Sequence, residues 1–413
     1  MYIDSLRITN LRTFKEAKED LVLLHPDTDF KKLDMPKPNL PNVNLLLGDN
    51  GSGKTTVLKA LAIAALGPAV QDANLPIYRL IRRGPPGESK AAVANIRATF
   101  ILHPQDHHGA YKELRLESRS VVVRRGEVER VNWVGRDERP WEPIYSSESE
   151  SFFFVGYGAT RRTERRENVD IGARQVTSFE RAQRVRSLFE EAYSLVPLSY
   201  WLPKENAGRS KQVYTIINQL LKGSGYTFTG KMELGEYGFR QGKAFIPFPA
   251  LSDGYRAYLG WIGDLLYHVC RTCPNNTELT DNKGVVMVDE IDLHLHPKWQ
   301  MTVLPQLANA LKKIQFIVTS HSPLIVGSLE WMNIIKMEQG PNKVTMAHRI
   351  REAVHGLDAD QVLVTSFFDM SSTRVDVQES ALKDLSRKAG MGDRRAAEKL
   401  VKQWSTGLEK KKA

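Results

Sequence analysis

The sequence predicts an α/β fold: a mostly parallel sheet that also carries an antiparallel β-lobe and a helical lobe. Three observations predict it. Val43–Leu47 is a short, unbroken apolar run that passes through a glycine-rich octapeptide into a helical segment, as a strand buried on both faces does in a parallel sheet. Lys283–Val288 and Gln315–Val318 are two more β-rich apolar runs, separated by a helix. Residues 91–135 instead alternate, as in Ala94-Asn95-Ile96-Arg97-Ala98-Thr99-Phe100, which is the pattern of an antiparallel sheet with one face wet.

The elements follow in order. Tyr2-Ile3-Asp4-Ser5-Leu6-Arg7-Ile8 alternates as a half-buried strand, and the Pro-, Asp- and Lys-rich stretch 26–42 reads as a surface loop. A helix over about Lys54 to Leu66 stops at Gly67-Pro68. Phe152–Tyr157 is another buried strand. From about 176 to 222 the pattern turns helical, with Phe179, Val185, Leu188, Phe189 and Ala192 on one stripe and Val213, Ile216, Ile217, Leu220 and Leu221 on a second. Leu251–Arg271 is helical after its first residues, and Asn333–His348 resembles a hairpin turning at Gly340-Pro341-Asn342. The last 60 residues read as basic helix. These readings place one large domain at 1–350, with the β-lobe at about 91–150 and a helical insertion at about 176–245, followed by a basic helical region at 351–413. No repeat is seen, nor a heptad seam long enough for a coiled-coil arm.

Length and charge bound the function. A chain of 413 residues buries a large core, and no apolar run approaches the roughly 20 residues that span a bilayer. Met1-Tyr2-Ile3-Asp4 opens straight into a strand, so no signal or transit peptide is expected and the location expected is cytoplasmic. Two segments hold the net charge of +10: residues 159–186 have eight Arg against four acids, and residues 383–413 have ten Lys or Arg against four. Such clusters suit a polyanion, possible DNA contact included, or form solvated helical faces. Cys270 and Cys273 sit at CxxC spacing on the apolar end of a helix with no second pair. A structural role fits them better than a metal or redox one.

The chemistry lies in five motifs. Gly48-Asp49-Asn50-Gly51-Ser52-Gly53-Lys54-Thr55 is a complete GxxxxGK[ST] phosphate loop, followed by Thr56. Its backbone amides cradle phosphates, the Lys54 ammonium reaches toward the β- and γ-phosphates, and the Thr55 hydroxyl holds Mg²⁺. The helix start beneath it adds a favourable dipole. Gly284-Val285-Val286-Met287-Val288-Asp289-Glu290 is an apolar strand ending in two acids. Asp289 is placed for the metal shell, and Glu290 as general base for the attacking water. The set therefore implies ATP and Mg²⁺. Leu251-Ser252-Asp253-Gly254-Tyr255-Arg256 precedes a helix and is similar to the LSGGQ signature of ABC ATPases, with Ser252 and Gly254 as its phosphate-contacting residues. A plain serine N-cap is the alternative, but the position shortly before the acidic strand favours the signature. Ile291-Asp292-Leu293-His294-Leu295-His296-Pro297 stands where the ABC D-loop belongs, and His294 and His296 lack a third metal ligand at helical spacing. Phe316-Ile317-Val318-Thr319-Ser320-His321-Ser322 ends a strand on a lone histidine, the position of the ABC switch histidine.

Together LLLGDNGSGKTT, GYGATR, LSDGYR, VMVDEIDLHLHP and IVTSHSP resemble the RecF/SMC/OLD-type branch of ABC ATPases, and within it the AAA-family ATPases of bacterial anti-phage systems of the Septu and retron type. Gly356-Leu357-Asp358-Ala359-Asp360-Gln361-Val362-Leu363, Thr373-Arg374 and Gly392-Asp393 are also similar to that group. The resemblance implies catalytic roles for Glu290 and His321, and an early nucleotide-side arginine at Arg12. It also implies a head-to-tail homodimer or higher homo-oligomer with composite sites. The stretch Tyr157-Gly158 to Arg161 occupies the Q-loop region without a glutamine, and too few residues follow His321 for a Toprim nuclease. The expected role is therefore a sensor or regulator acting on a separate nuclease effector, of HNH or other type. The alternative is a RecF-like DNA-binding ATPase of recombination and repair.

Overall fold

The computed structural model describes residues 1–16, 19–84, 92–103, 106, 115–126, 128–135, 137–141, 153–163, 180–233, 235–340, 344–370, 385–399 and 401. The chain divides into two compact units, Met1–Gly356 and Leu357–Ala413.

The first unit holds two large sheets. One is antiparallel and runs β2 (Phe14–Glu16), β1 (Tyr2–Leu11), β5 (Val93–Ile101), β6 (Arg115–Arg125), β7 (Val128–Trp133), with β3 (Leu21–Val22) also paired to β1. The expected β-lobe thus shares its sheet with the N-terminal strand. The register Tyr2↔Ile101, Ile8↔Ile96 and Phe100↔Leu116 puts the apolar set of each strand on one face. The other sheet runs β17 (Thr345–His348), β16 (Ile334–Gln339), β4 (Val43–Leu47), β15 (Ile314–Ser320), β14 (Gly284–Val288), β8 (Phe154–Tyr157). All its pairs are parallel except the β16–β17 edge hairpin. Every residue of β4, β14, β15 and β8 is buried, as strands covered on both faces require.

Helix α1 (Lys54–Leu66) lies between these layers and contacts β1, β5, β6, β8 and β15. Its sequence, KTTVLKALAIAAL, is apolar all round after the first turn apart from Lys59, which suits a helix covered on both sides. Two buried amides stitch the layers together. Asn44 Nδ2 donates to Leu24 O at 2.9 Å, and Gln315 Nε2 donates to Ile3 O at 2.9 Å while its Oε1 accepts from Ile3 N at 2.8 Å. Both side chains are fully buried, so each bond replaces water that is no longer available.

The stretch expected to be helical over 176–222 is less continuous than its pattern. It contains α2 (Glu180–Arg186), α3 (Leu198–Trp201) and α4 (Ala207–Leu220); Leu188, Phe189 and Ala192 lie in turns, and Phe179 lies outside the described residues. The short β9 (Arg162–Thr163) and β10 (Ser194–Leu195) pair in parallel there. The end of the expected helical insertion is in fact a three-stranded antiparallel meander, β11 (Tyr226–Glu233), β12 (Glu236–Gln241) and β13 (Ala244–Pro247). Its aromatic cluster of Phe228, Tyr237 and Phe239 packs internally and against Tyr214 of α4. Such a small sheet is held by ring contacts more than by an alternating pattern, which is why its sequence period is weak. The strand expected from Phe152 begins at Phe154, and Phe152 lies outside the described residues.

Helix α5 (Asp253–Thr272) follows the meander. Helices α6 (Pro297–Gln300), α7 (Val303–Ala310) and α8 (Pro323–Gly327) complete the unit. Among the described residues no helix is long and apolar enough to cross a membrane. The second unit contains α9 (Ala359–Leu363), closed by an Asp358–Gln361 capping box, and helical residues at 385–390 and 394–399. Pro341-Asn342, Arg165, Arg166, Thr373-Arg374 and Lys410–Lys412, all singled out in the sequence, lie outside the described residues.

Candidate active site

Four neighbouring parallel strands, β4, β15, β14 and β8, each end on a residue of the site, at the carboxyl edge where open α/β sheets bind ligands. β4 runs directly into the phosphate loop. At Gly53, φ is 99°, and a Cβ would lie 2.7 Å from Thr13 Oγ1, so only glycine permits the close approach of the turn between β1 and β2. The Lys54 ammonium, almost fully buried, donates to Gly48 O at 2.7 Å and Asp49 O at 3.0 Å. Asn50 and Gly51 are exposed, Ser52 is buried and Thr56 is buried within α1. Two loop carbonyls are held from the edge hairpin: Gly51 O accepts from Gln339 Nε2 at 2.6 Å, and Ser52 O from Thr345 Oγ1 at 2.8 Å.

The acidic strand meets this loop. Thr55 Oγ1 donates to Asp289 Oδ2 at 2.7 Å, and Thr319 Oγ1 donates to Asp289 Oδ1 at 2.6 Å. The same Thr319 hydroxyl accepts from Glu290 N at 2.7 Å. Glu290 sits in the left-handed region at φ 47°, which is uncommon outside glycine and needs support from its surroundings. Arg161, beyond the end of β8, supplies it: its guanidinium donates to Asp289 O and, at 3.0 Å, to Glu290 O. Burial pushes Arg161 down to about 10, with Asp289, Asp292 and Glu290 opposing the push, so it keeps its charge at neutral pH. The Glu290 carboxylate accepts no hydrogen bond among the described residues.

Electrostatics tie His321 to the same spot. Burial, then the Lys54 ammonium, lowers its imidazole below the usual histidine value, while Asp292, Glu290 and Asp49 pull the other way. Burial also lowers the Lys54 ammonium, against Asp289 and Glu290. The structure therefore brings Lys54, Thr55, Asp289, Glu290 and His321 together. Arg12 lies on the β1–β2 turn at φ 45° with its Nε on Arg79 O at 3.3 Å, and among the described residues no hydrogen bond or ion pair joins its side chain to the phosphate loop or to the acidic strand end.

Ser252 and Gly254 are placed differently. Among the described residues no hydrogen bond or ion pair joins either to the phosphate loop. Ser252 is the N-cap of α5 by position, yet its side chain makes no capping bond and it is exposed. Gly254 packs on the D-loop: a Cβ there would lie 2.6 Å from His294 O. Asp253, which replaces a glycine of the signature, is paired with Arg256. Deeper in α5, Asp264 accepts from Tyr157 Oη on β8 at 2.8 Å and from Val196 N at 2.8 Å. The signature helix is thus anchored to the strand that leads to Arg161. A cavity of about 950 Å³ opens beside it, lined by Arg161, Tyr200, Tyr237, Phe239, Asp253 and Arg256 among others.

Sequence reading missed Thr319, Gln339 and Thr345 as parts of the site, and placed Arg161 in the Q-loop region and a basic stretch without giving it a contact to the acidic strand. No spacing rule links these residues to the phosphate loop; the strand order does. Arg162, next in that stretch, is exposed. Cys270 is half-buried and its thiol is pushed up to about 12 by burial, which fits the structural reading of the CxxC pair.

The donor set fits the ligands the motifs imply. The buried Ser52 and Thr13 hydroxyls have no partner among the described residues, and Gly48 and Gly53 leave no room for a Cβ. The Thr55–Asp289 pair presents hard oxygen donors of the kind Mg²⁺ takes.

Comparison with known proteins agrees with this geometry. The chain is 24% identical over 383 residues to the Septu protein PtuA of Bacillus mycoides (strain KBAB4), an alignment covering 92% of this chain and 46% of that protein. It is 41% identical over 90 residues to the Retron Ec83 probable ATPase of Escherichia coli, covering 22% of this chain and 17% of that one. It thus spans about half the length of the PtuA relative, and a fifth of it matches the retron protein. Among solved structures, an Smc head bound to the C-winged helix domain of ScpA superposes with a TM-score of 0.52 at 17% identity, covering 85% of this chain and 98% of that one. The Smc head domain from Pyrococcus furiosus gives 0.52 at 16%, covering 84% and 96%. The fold is that of an SMC-head-like ABC ATPase. Residues 68–327 match the family described as "AAA domain, putative AbiEii toxin, Type IV TA system". That span contains Arg161, the signature, Asp289, Glu290 and His321. The chain is a P-loop ATPase of this AAA family, related to Septu PtuA and the retron ATPases.

Proposed function

We propose that the protein hydrolyses ATP at composite sites of a head-to-tail homodimer, and that it serves as the sensor or regulator of an anti-phage complex whose cutting is done by a separate nuclease. The observation that carries the ATPase reading is the bonded chain Thr55–Asp289–Thr319–Glu290, with Lys54 and His321 beside it. Lys54 and the loop amides bind the phosphates of ATP. Thr55 and Asp289 would hold Mg²⁺, which when bound supplies positive charge against the phosphate oxygens. Glu290 takes the proton of the attacking water, and its backbone is fixed for this by Thr319 and Arg161. His321, neutral near pH 7, offers a ring N–H to the γ-phosphate. Catalysis is thus placement and charge stabilisation, with no covalent intermediate.

Ser252 and Gly254 serve the partner's site. Ser252 is exposed, its hydroxyl makes no capping bond to its own helix, and among the described residues no hydrogen bond joins it to its own phosphate loop. Closure over ATP, transmitted through α5 and the D-loop, is the signal passed to the effector. The relatives in Septu and retron systems support a defence role. The test is co-purification of the chain with the products of its neighbouring genes, followed by DNA cleavage with and without ATP. ATP-dependent cleavage by the assembly is expected. DNA binding without any cleaving partner would instead favour a RecF-like role in repair.

Arg161 yields a sharper test of the site. Lysine keeps the charge but cannot fork onto two carbonyls. Arg161→Lys should therefore lower kcat by about tenfold or more, the order expected for a lost charged hydrogen bond, with ATP affinity unchanged. Phosphate release and binding of a fluorescent ATP analogue measure the two separately. Equal loss in both would mean that Arg161 acts on folding of the site, not on Glu290.

A further inference from the structure

The D-loop and the loop that carries His321 are separate segments, and one side chain outside the site described above joins them. Gln300 is the last residue of α6 and is half-buried. Its Oε1 accepts from Ser322 Oγ at 2.6 Å, and its Nε2 donates to Leu295 O at 3.0 Å. A carbonyl only accepts, so Leu295 O fixes which end of the amide is Nε2, and the Ser322 hydroxyl must then donate. One amide thus spans from the D-loop to the residue that follows His321.

Both ends of this link lead into the site. Ser322 is 7% exposed, and its Oγ also caps α8 by accepting from Leu324 N at 3.2 Å and Ile325 N at 3.4 Å. Its own amide donates to Ser320 Oγ at 2.9 Å, so the backbone is pinned on both sides of His321. The His321 ring makes no hydrogen bond or ion pair among the described residues. Its place is therefore set by that backbone and not by a partner of its own. At the other end, Leu295 follows His294, whose carbonyl lies 2.6 Å from where a Cβ on Gly254 would stand. A path of direct contacts thus runs from the start of α5, through the D-loop and Gln300, to His321.

We propose that Gln300 is a positioning residue, which sets His321 against the γ-phosphate and ties that placement to the D-loop. The inference rests on the ATPase reading above, in which His321 donates to the γ-phosphate. Gln300 itself moves no proton, and among the described residues no hydrogen bond joins it to the phosphate loop, Asp289 or Glu290. It acts only through the two loops that it clamps. A displacement of about 1 Å in a group that acts on the reacting atoms costs on the order of a hundredfold in rate. The phosphate loop holds ATP without this clamp, so its loss belongs in turnover and not in nucleotide affinity.

The test is a double-mutant cycle on the whole chain, built from Gln300→Met and His321→Ala and read by phosphate release and by binding of a fluorescent ATP analogue. Methionine keeps the length of the side chain and loses both bonds. Gln300→Met should lower turnover about tenfold or more, with ATP affinity within about twofold of wild type. Added to His321→Ala, the same change should alter turnover by less than about twofold, because its route to the phosphate is already gone. Equal losses in both backgrounds, or wild-type turnover in Gln300→Met, overturn the proposal and leave the ATPase reading in place. Wild-type turnover in His321→Ala overturns it together with the role of His321, and a wild-type chain that releases no phosphate removes the reading on which both stand. If Gln300→Met does not fold, Ser322→Ala breaks the same bond from its other end and is read in the same cycle. Ser322→Thr, which keeps the hydroxyl, should then retain wild-type turnover, and an equal loss in the two serine variants overturns the proposal.

Discussion

Glu290→Gln should leave ATP binding intact and reduce turnover by about a hundredfold or more, the range associated with losing a positioned general base. The argument is geometric. The Glu290 amide is held by Thr319 Oγ1 and its carbonyl by Arg161, in a left-handed conformation at φ 47°. Neither bond involves the side chain, so the isosteric amide keeps the backbone trap and the phosphate loop. What it loses is the carboxylate that accepts the proton of water. ATP-bound dimers should then accumulate, visible on a sizing column in the presence of ATP. Phosphate release at the wild-type rate would remove Glu290 from the role of base. Loss of nucleotide binding would show instead that the strand end had been disrupted. Lys54→Ala is the contrast, because the buried ammonium lies within the phosphate loop and its removal should weaken nucleotide binding itself.

Ser252→Arg and Lys54→Ala proteins should each be nearly inactive alone, and a mixture should recover activity. With random exchange, roughly half the dimers pair one variant with the other, and each such dimer has one intact site of two. About a quarter of wild-type turnover is then expected if the sites act independently. The structural ground is that Ser252 caps α5 without a side-chain bond, and that among the described residues no hydrogen bond joins it to its own phosphate loop. Gly254 rests on His294 O of the D-loop, which follows Glu290, so in the proposed dimer the helix that starts at Ser252 would stay with the acidic strand of its own subunit while serving the site of the other. Heterodimers that form and stay inactive would mean that the site is complete within one chain.

Much of this site was legible in the sequence. Backbone chemistry that depends on near neighbours is written locally. A phosphate loop needs glycines at fixed spacing, a following helix start and a lysine, and Gly48–Thr55 supplies all of them. Likewise a strand buried on both faces is mostly apolar, so Val43–Leu47 and Gly284–Val288 announced the parallel sheet and the two acids at its edge. The order of the signature, D-loop and histidine motifs then indicated the ABC type.

Tertiary structure alone decided how distant segments meet. The order β17-β16-β4-β15-β14-β8 brings Thr319 between Asp289 and Glu290, puts Gln339 and Thr345 on the loop carbonyls, and sets Arg161 under the acidic strand end. Each is a polar residue of ordinary type, and no sequence spacing distinguishes it from a surface residue. The same reason hid Asn44 and Gln315, buried amides whose only signature is the strand across from them. The meander at 226–247 escaped because its stability comes from ring packing among Phe228, Tyr237 and Phe239, which leaves little periodic trace. Periodicity records which face of an element is buried; it does not record what buries it, and at this site that difference is the whole of the second layer of residues.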